Sequence, residues 1–242
     1  MRALRNILRD EWFIMQQEIF DILKGTRLVA GMADEDILSL LASSRVRLAN
    51  YQKGEIIFQD GDVPERLFLL IKGDVRILKD TFSGKQIFIT EIKEPGDMFG
   101  EIYLFIAKRA YDMYAEAAKD TTLLEISNAM LSLQTGGASH ITAALQQNLL
   151  KGFAAKAYFM NNKLKVLASG SLRGKIARYL LQRPQKDGWI ELAESREATA
   201  AYLAVTRPSL SRELSALQAE GILEIEGKKI RILDVESFEE YL

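Results

Sequence analysis

Residues 204–214 read Ala204-Val205-Thr206-Arg207-Pro208-Ser209-Leu210-Ser211-Arg212-Glu213-Leu214, and this stretch decides the architecture of the last third of the chain. The Thr206 hydroxyl can accept a backbone N–H two or three residues on, and Pro208 suits a first helical turn, where its missing donor is of no consequence. Leu210, Leu214 and Leu217 recur at helical spacing, while Pro208, Ser211, Arg212 and Ser215 fall on the other side. Upstream, Ser195 to Leu203 predicts a first short helix capped by Ser195, with Ala198, Ala201 and Tyr202 or Leu203 for burial. Two short helices joined by about four residues form a helix-turn-helix, whose second helix enters the major groove by its N-terminal residues. Downstream, the alternating runs Ile222–Glu226 and Lys229–Leu233 flank Gly227-Lys228, which predicts a β-hairpin wing.

Working outward, 242 residues suffice for two domains, and 48% hydrophobic with 27% charged residues describes a globular protein. There is no cysteine, so disulfides, cysteine-bound zinc and cysteine-ligated iron–sulfur clusters are excluded. No apolar run reaches the roughly 20 residues a membrane span needs. The charged start (Arg2, Arg5, Arg9, Asp10, Glu11) is unlike a signal peptide, so a cytoplasmic protein without membrane contact is expected. A net charge of −1 means that DNA affinity must come from local placement of Arg207, Arg212, Lys228 and Lys229.

Two amphipathic helices are expected near the start, Asp10 to Leu23 (with Trp12, Phe13, Met15 and Ile19) and Asp34 to Leu41 with Asp34 as its cap. From Val46 to Ile126 the chain turns to short apolar runs punctuated by glycine: Gly54-Glu55-Ile56-Ile57-Phe58, Leu67 to Ile71, Gly73 to Leu78, Gln86 to Ile89 and Leu123 to Ile126. Such spacing predicts an antiparallel roll or sandwich, a natural container for a small molecule. Trp12 and Trp189 read as packing residues.

Three phrases then carry a resemblance: Tyr51-Gln52-Lys53-Gly54-Glu55-Ile56-Ile57-Phe58-Gln59-Asp60-Gly61-Asp62, Lys72-Gly73-Asp74-Val75, and Gly96-Asp97-Met98-Phe99-Gly100-Glu101. With the winged helix they resemble the CRP/FNR transcription regulators from about Leu23 to Leu242. The resemblance implies an α+β chain with a cyclic-nucleotide-binding-like β-roll, a long dimerisation helix and a C-terminal winged helix-turn-helix. The corresponding bounds are an N-terminal helical extension at 1–22, the roll at 23–136, the dimerisation helix at 137–169 and the DNA-binding domain at 170–242, with Gly170 as a hinge. The long segment Ser139 to Ala168 (Leu145, Leu149, Phe153, Met160, Leu164, Leu167) would span about 45 Å as a helix and needs a partner, which in the family is its two-fold mate.

In cyclic-AMP-responsive members an Arg-Ser pair follows the Gly-Glu of the phosphate cassette. Here Gly100 and Glu101 are present, but the matching positions hold Tyr111 and Asp112, and Arg109 can substitute only if the loop is shortened. Lys156, Met160 and Asn161 match the helix positions that contact the nucleotide, with Met160 and Asn161 in place of the hydroxyls that bind adenine. The implied effector site is Gly100, Glu101, Tyr111, Asp112, Lys156, Met160 and Asn161, with an unknown small molecule other than cyclic AMP. The resemblance assigns DNA contacts to Thr206, Arg207, Pro208, Ser209, Ser211, Arg212 and Lys228. Arg207 and Arg212 match base readers, Ser209 matches a phosphate-binding hydroxyl, and Pro208 replaces a base-reading glutamate. The implied partners are double-stranded DNA bearing a pseudopalindromic operator, a second copy of the chain in a homodimer and, for an activator, RNA polymerase. Two other readings are a ligand-binding module that regulates a protein partner and a haem or gas sensor using His140, the one histidine. With no nucleophile or metal constellation, neither enzyme activity nor a bound cofactor is expected.

Overall fold

The computed structural model describes residues 16–106, 108–131 and 139–242. Trp12, Phe13 and Met15 of the first expected helix lie outside those residues. Residues 16–24 are helical (α1), with Ile19 and Leu23 buried. Asp34–Leu41 forms α2, but Ala33 takes the cap position and makes no side-chain cap bond. Asp34 is instead the first helical residue, and its carboxylate meets the Lys24 ammonium at 2.7 Å. With Glu35 and Asp36 it places negative charge at the positive end of the helix dipole.

The chain forms two units that divide within one helix, between Gly152 and Phe153. In the first unit β1 (Val46–Tyr51), β2 (Ile56–Phe58), β3 (Arg66–Lys72), β4 (Val75–Asp80), β5 (Gln86–Ile92), β6 (Met98–Phe99), β7 (Tyr114–Ala117) and β8 (Thr121–Ser127) build two antiparallel sheets. Their orders are β1-β8-β3-β6 and β2-β7-β4-β5. The predicted roll is thus two sheets over a shared interior, with Phe58, Phe68, Leu70, Val75, Ile77, Phe99 and Leu123 packed inside. The connection from β3 to β4, which crosses from one sheet to the other, turns at Gly73, whose φ of +104° suits glycine. On the edge strand β5, Ile87, Phe88 and Ile89 are exposed, as is Phe82 in the turn before it.

After a short helix, α3 (Asn128–Leu131), comes α4 (His140–Leu167), the expected long helix. Leu145 and Leu149 are buried in the first unit, where the Asn148 amide also donates to the carbonyls of Leu28 and Ala30. Leu150, Tyr158, Phe159, Met160 and Leu164 are exposed.

The second unit holds α5 (Leu172–Leu181), β9 (Trp189–Glu191), α6 (Arg196–Tyr202), α7 (Arg207–Ala219), β10 (Leu223–Glu226), β11 (Lys229–Ile232) and α8 (Val235–Glu239). The wing is the predicted hairpin plus a third strand, in the order β10-β11-β9. Trp189, expected only to pack, also begins that strand, and its ring lies under the Arg231 guanidinium at 4.2 Å. The Arg173 guanidinium fastens α5 to the end of α7 and to the C-terminus through Glu213, Glu220 and the Tyr241 hydroxyl.

Gly170, the expected hinge, lies within the second unit. Val166, before it, is fully buried in the winged-domain core, and Phe159 meets Tyr202 edge-on at 6.1 Å. Gly170 and Gly174 accordingly predict opposite behaviour. A Cβ on Gly170 meets open space, whereas one on Gly174 would lie 2.7 Å from the Tyr241 carbonyl oxygen. Gly174→Ala is expected to cost about 1–3 kcal/mol through overpacking against backbone. Gly170→Ala should change stability by no more than about 0.5 kcal/mol. Urea unfolding of the two variants measures the contrast, and equal midpoints would contradict it.

Candidate functional site

The reader helix takes its position from local chemistry. Ser195 caps α6 by accepting from the Ala198 N–H, and Thr206 caps α7 by accepting from the Ser209 N–H at 3.3 Å. Between the helices Ala204 holds a φ of +53°, an unusual left-handed value for a residue with a Cβ, and so reverses the chain. Leu210, Leu214 and Leu217 are buried as predicted. The buried face of α6 differs from the expected one. Thr199, Ala200 and Leu203 are inside, whereas Ala198 and Ala201 are exposed. Burial of Thr199 is possible because its hydroxyl donates to the Ser195 carbonyl.

With the leucine face buried, Thr206, Arg207, Pro208, Ser211 and Arg212 are exposed together, and Ser209 is half-buried. Three of these groups already have protein partners: the Thr206 and Ser209 hydroxyls lie 2.9 Å apart, and Arg207 pairs with Glu197 at 2.9 Å. Arg212 makes no ion pair among the described residues. Two candidate partners are already taken, Glu197 by Arg207 and the adjoining Glu213 by Arg173. Lys228 is exposed at the wing tip, and its ammonium donates to the Ala193 carbonyl.

The roll gathers Gly100, Glu101, Tyr111 and Asp112 in the first unit, but not as an open cassette. Gly100, with a φ of +78°, approaches Phe68 so closely that a Cβ there would sit 3.0 Å from the ring. Glu101 opens a 3-10 turn, Glu101–Leu104, and is 6% exposed. Tyr111 is 3% exposed and stacks on Phe58 with ring centroids 3.9 Å apart, and Tyr103 meets it edge-on at 4.8 Å. The Asp112 carboxylate accepts from Lys108, Tyr103 and Lys79. Those donors hold it well below the usual carboxylate range. Asp112 is therefore not the bare negative charge that the sequence comparison implied, because two ammonium groups offset it. Lys156, Met160 and Asn161 are exposed and belong to the second unit. His140 is also exposed, and its Nε2 lies 2.6 Å from the Asp36 carboxylate, a surface pair.

Sequence reasoning missed a polar cluster inside the roll. Glu125 on β8 is fully buried. It lies across from Arg47 on β1 and Phe68 on β3, on the face that carries the aromatic core. One of its oxygens accepts from the Arg47 Nε at 2.7 Å and lies 3.4 Å from the Arg66 Nε, while the other accepts from the Tyr51 hydroxyl at 2.7 Å. A carboxylate at this depth is costly unless donors surround it in this way. Burial, with the bond to Glu125, pushes the Tyr51 hydroxyl far above the ordinary phenol range. The available signal was a charged residue interrupting the apolar run Leu123-Leu124-Glu125-Ile126.

Two family models match this geometry: a cyclic nucleotide-binding domain over residues 48–132 and a Crp-like helix-turn-helix domain over residues 174–241. Together they take in well over half the chain, and they follow the order of the roll and the reader helix. The chain belongs to the CRP/FNR family. Among its relatives is a CRP-like cAMP-activated global transcriptional regulator of Mycobacterium tuberculosis, 25% identical over 226 residues, covering 89% of this chain and 96% of that one. The cyclic AMP receptor protein of Thermus thermophilus is 27% identical over 223 residues, covering 90% and 97%. The global nitrogen regulator of Synechococcus elongatus is 24% identical over 196 residues, covering 78% and 86%. Among the described residues no helix is long and apolar enough to cross a membrane.

Proposed function

We propose that this CRP/FNR member is a homodimeric transcription regulator whose affinity for double-stranded DNA is set by a small molecule held in the roll, and that the molecule is not cyclic AMP. The observation that carries DNA reading is the exposed N-terminal face of α7, where Arg207 and Arg212 stand beside Pro208 and Ser211 while the leucine face is buried. A guanidinium fork on such a face suits guanine O6 and N7. Thr206, Ser209 and Lys228 lie where phosphates would run, the first two around the positive end of the helix.

Dimerisation is supported by α4. Leu150 and Leu164 stand two heptads apart, with Met160 on the same stripe, and all three are exposed in the single chain. Apolar residues left bare at this spacing suit a coiled-coil mate. Against cyclic AMP stands occupancy. Tyr111 occupies the position of the phosphate-binding arginine and fills the space with a ring stacked on Phe58. The relatives' names leave the effector open, since two refer to cyclic AMP and the third to nitrogen. Domain bounds of 23–136, 137–169 and 170–242 complete the proposal, with RNA polymerase as partner if the regulator activates.

Selection of bound fragments from random double-stranded DNA tests the reading directly. Enrichment of a pseudopalindrome with half-sites about one helical turn apart is expected. Recovery of unrelated sequences at every round would reject it.

A further inference from the structure

The interior of the roll is filled at its aromatic end but open at its polar end. A cleft of about 320 Å³ lies there, lined by Arg47, Arg66 and Glu125 together with Phe58, Phe68 and Tyr111. Tyr111 is the one residue it shares with the effector set carried over from the family. Two observations mark this cleft as built to take a ligand. The Tyr111 hydroxyl is buried and has no hydrogen-bond partner among the described residues, an uncommon state for a buried phenol. Glu125 also engages both arginines through Nε, so the Nη donors of two positioned guanidinium groups remain for another acceptor.

The lining sets the chemistry of that acceptor. Ile57, Val63 and the two phenylalanines add apolar surface to a lining that is mainly polar, so the ligand can carry a small apolar body behind its polar head. Paired guanidinium donors favour a carboxylate or phosphate. Asp62 and Glu65 stand on the rim, which disfavours a dianion. Asp62 is itself partly satisfied, its carboxylate accepting from the Gln59 N–H. Burial, with Asp62 nearby, pushes the Tyr111 hydroxyl up to about 12, so it stays protonated and able to donate.

We propose that this cleft binds a small monocarboxylate with an apolar body, its carboxylate on the free Nη donors of Arg47 and Arg66 and on the Tyr111 hydroxyl. The inference rests on the reading of the roll as the sensory part of the regulator, and supplies the class of molecule sensed.

Benzoate is a suitable probe, titrated into the full chain by calorimetry without DNA. Saturable binding is expected, and about tenfold weaker binding in Arg47→Gln and in Tyr111→Phe, the loss of one good hydrogen bond in each case. Tyr111→Phe removes only an unpartnered hydroxyl, so its melting temperature should equal or exceed that of the parent, which keeps the test free of unfolding. Benzyl alcohol, inorganic phosphate and cyclic AMP should give no saturable heat. Absence of benzoate binding at millimolar concentration overturns the proposal. So does affinity in both variants equal to that of the parent, or binding of benzyl alcohol as tight as that of benzoate. Because no DNA is present, failure here leaves the selection experiment above unaffected, and failure of that selection leaves this measurement standing.

Discussion

Replacing Arg212 by alanine is expected to weaken sequence preference sharply while leaving the dimer and the fold intact. The side chain is exposed on the reading face and makes no ion pair among the described residues, so its removal disturbs nothing inside the protein. One bidentate contact to guanine discriminates by about 1–3 kcal/mol, and a two-fold dimer makes it twice, so operator affinity should fall on the order of a hundredfold or more. Affinity for unrelated DNA should fall only by the share of one charge. Fluorescence anisotropy on operator and scrambled duplexes measures both. A parallel fall on the two would reassign Arg212 to the phosphate backbone. Arg207→Ala should lose less, because Arg207 must first give up Glu197 to reach a base.

A second large effect is expected in the roll at Gly73. Its φ of +104° is adopted readily only without a Cβ, and an added Cβ would lie 2.4 Å from the Thr121 hydroxyl, 2.6 Å from the Thr121 Cα and 2.7 Å from the Asp120 carbonyl oxygen. The hydroxyl can move only at the expense of its bonds to the Asp74 and Lys119 carbonyls, and the other two are backbone atoms of the neighbouring strand and turn. Gly73→Ala should therefore cost more than about 3 kcal/mol and lose the first unit's cooperative unfolding. Gly84 is the control, because it too has a positive φ but nothing within 4 Å. Gly84→Ala should cost only the left-handed penalty of about 1–2 kcal/mol. Equal urea midpoints for the two variants would show that the close approach at Gly73 is of no consequence.

Much of the fold was legible because its signals are local. The Thr206 cap, the leucine spacing of α7 and the Gly227 turn act within a few residues, and each appears where the sequence put it. The phase of α6 was misjudged because Thr199 reads as polar until its hydroxyl is seen to bond within its own helix. Both the third wing strand and the Glu125 cluster depend on partners far away in sequence, Arg47 lying 78 residues from Glu125. No periodicity announces such pairings. For the candidate site, residue types at family positions identified Tyr111 as a departure. They left unseen that its ring stacks into the core and that the Asp112 charge is offset by Lys79 and Lys108.

The edge strand β5 has a consequence for how the chain behaves in a crowd. Its outer side lacks a neighbouring strand, so a row of backbone donors and acceptors is left there beside the bare side chains of Ile87, Phe88 and Ile89. That combination is a template on which another extended chain can grow, and the exposed Lys85 just ahead of it is a charge that discourages it. Solubility at high concentration thus depends on a short ribbon of the first unit, and on surface charge with no part in reading.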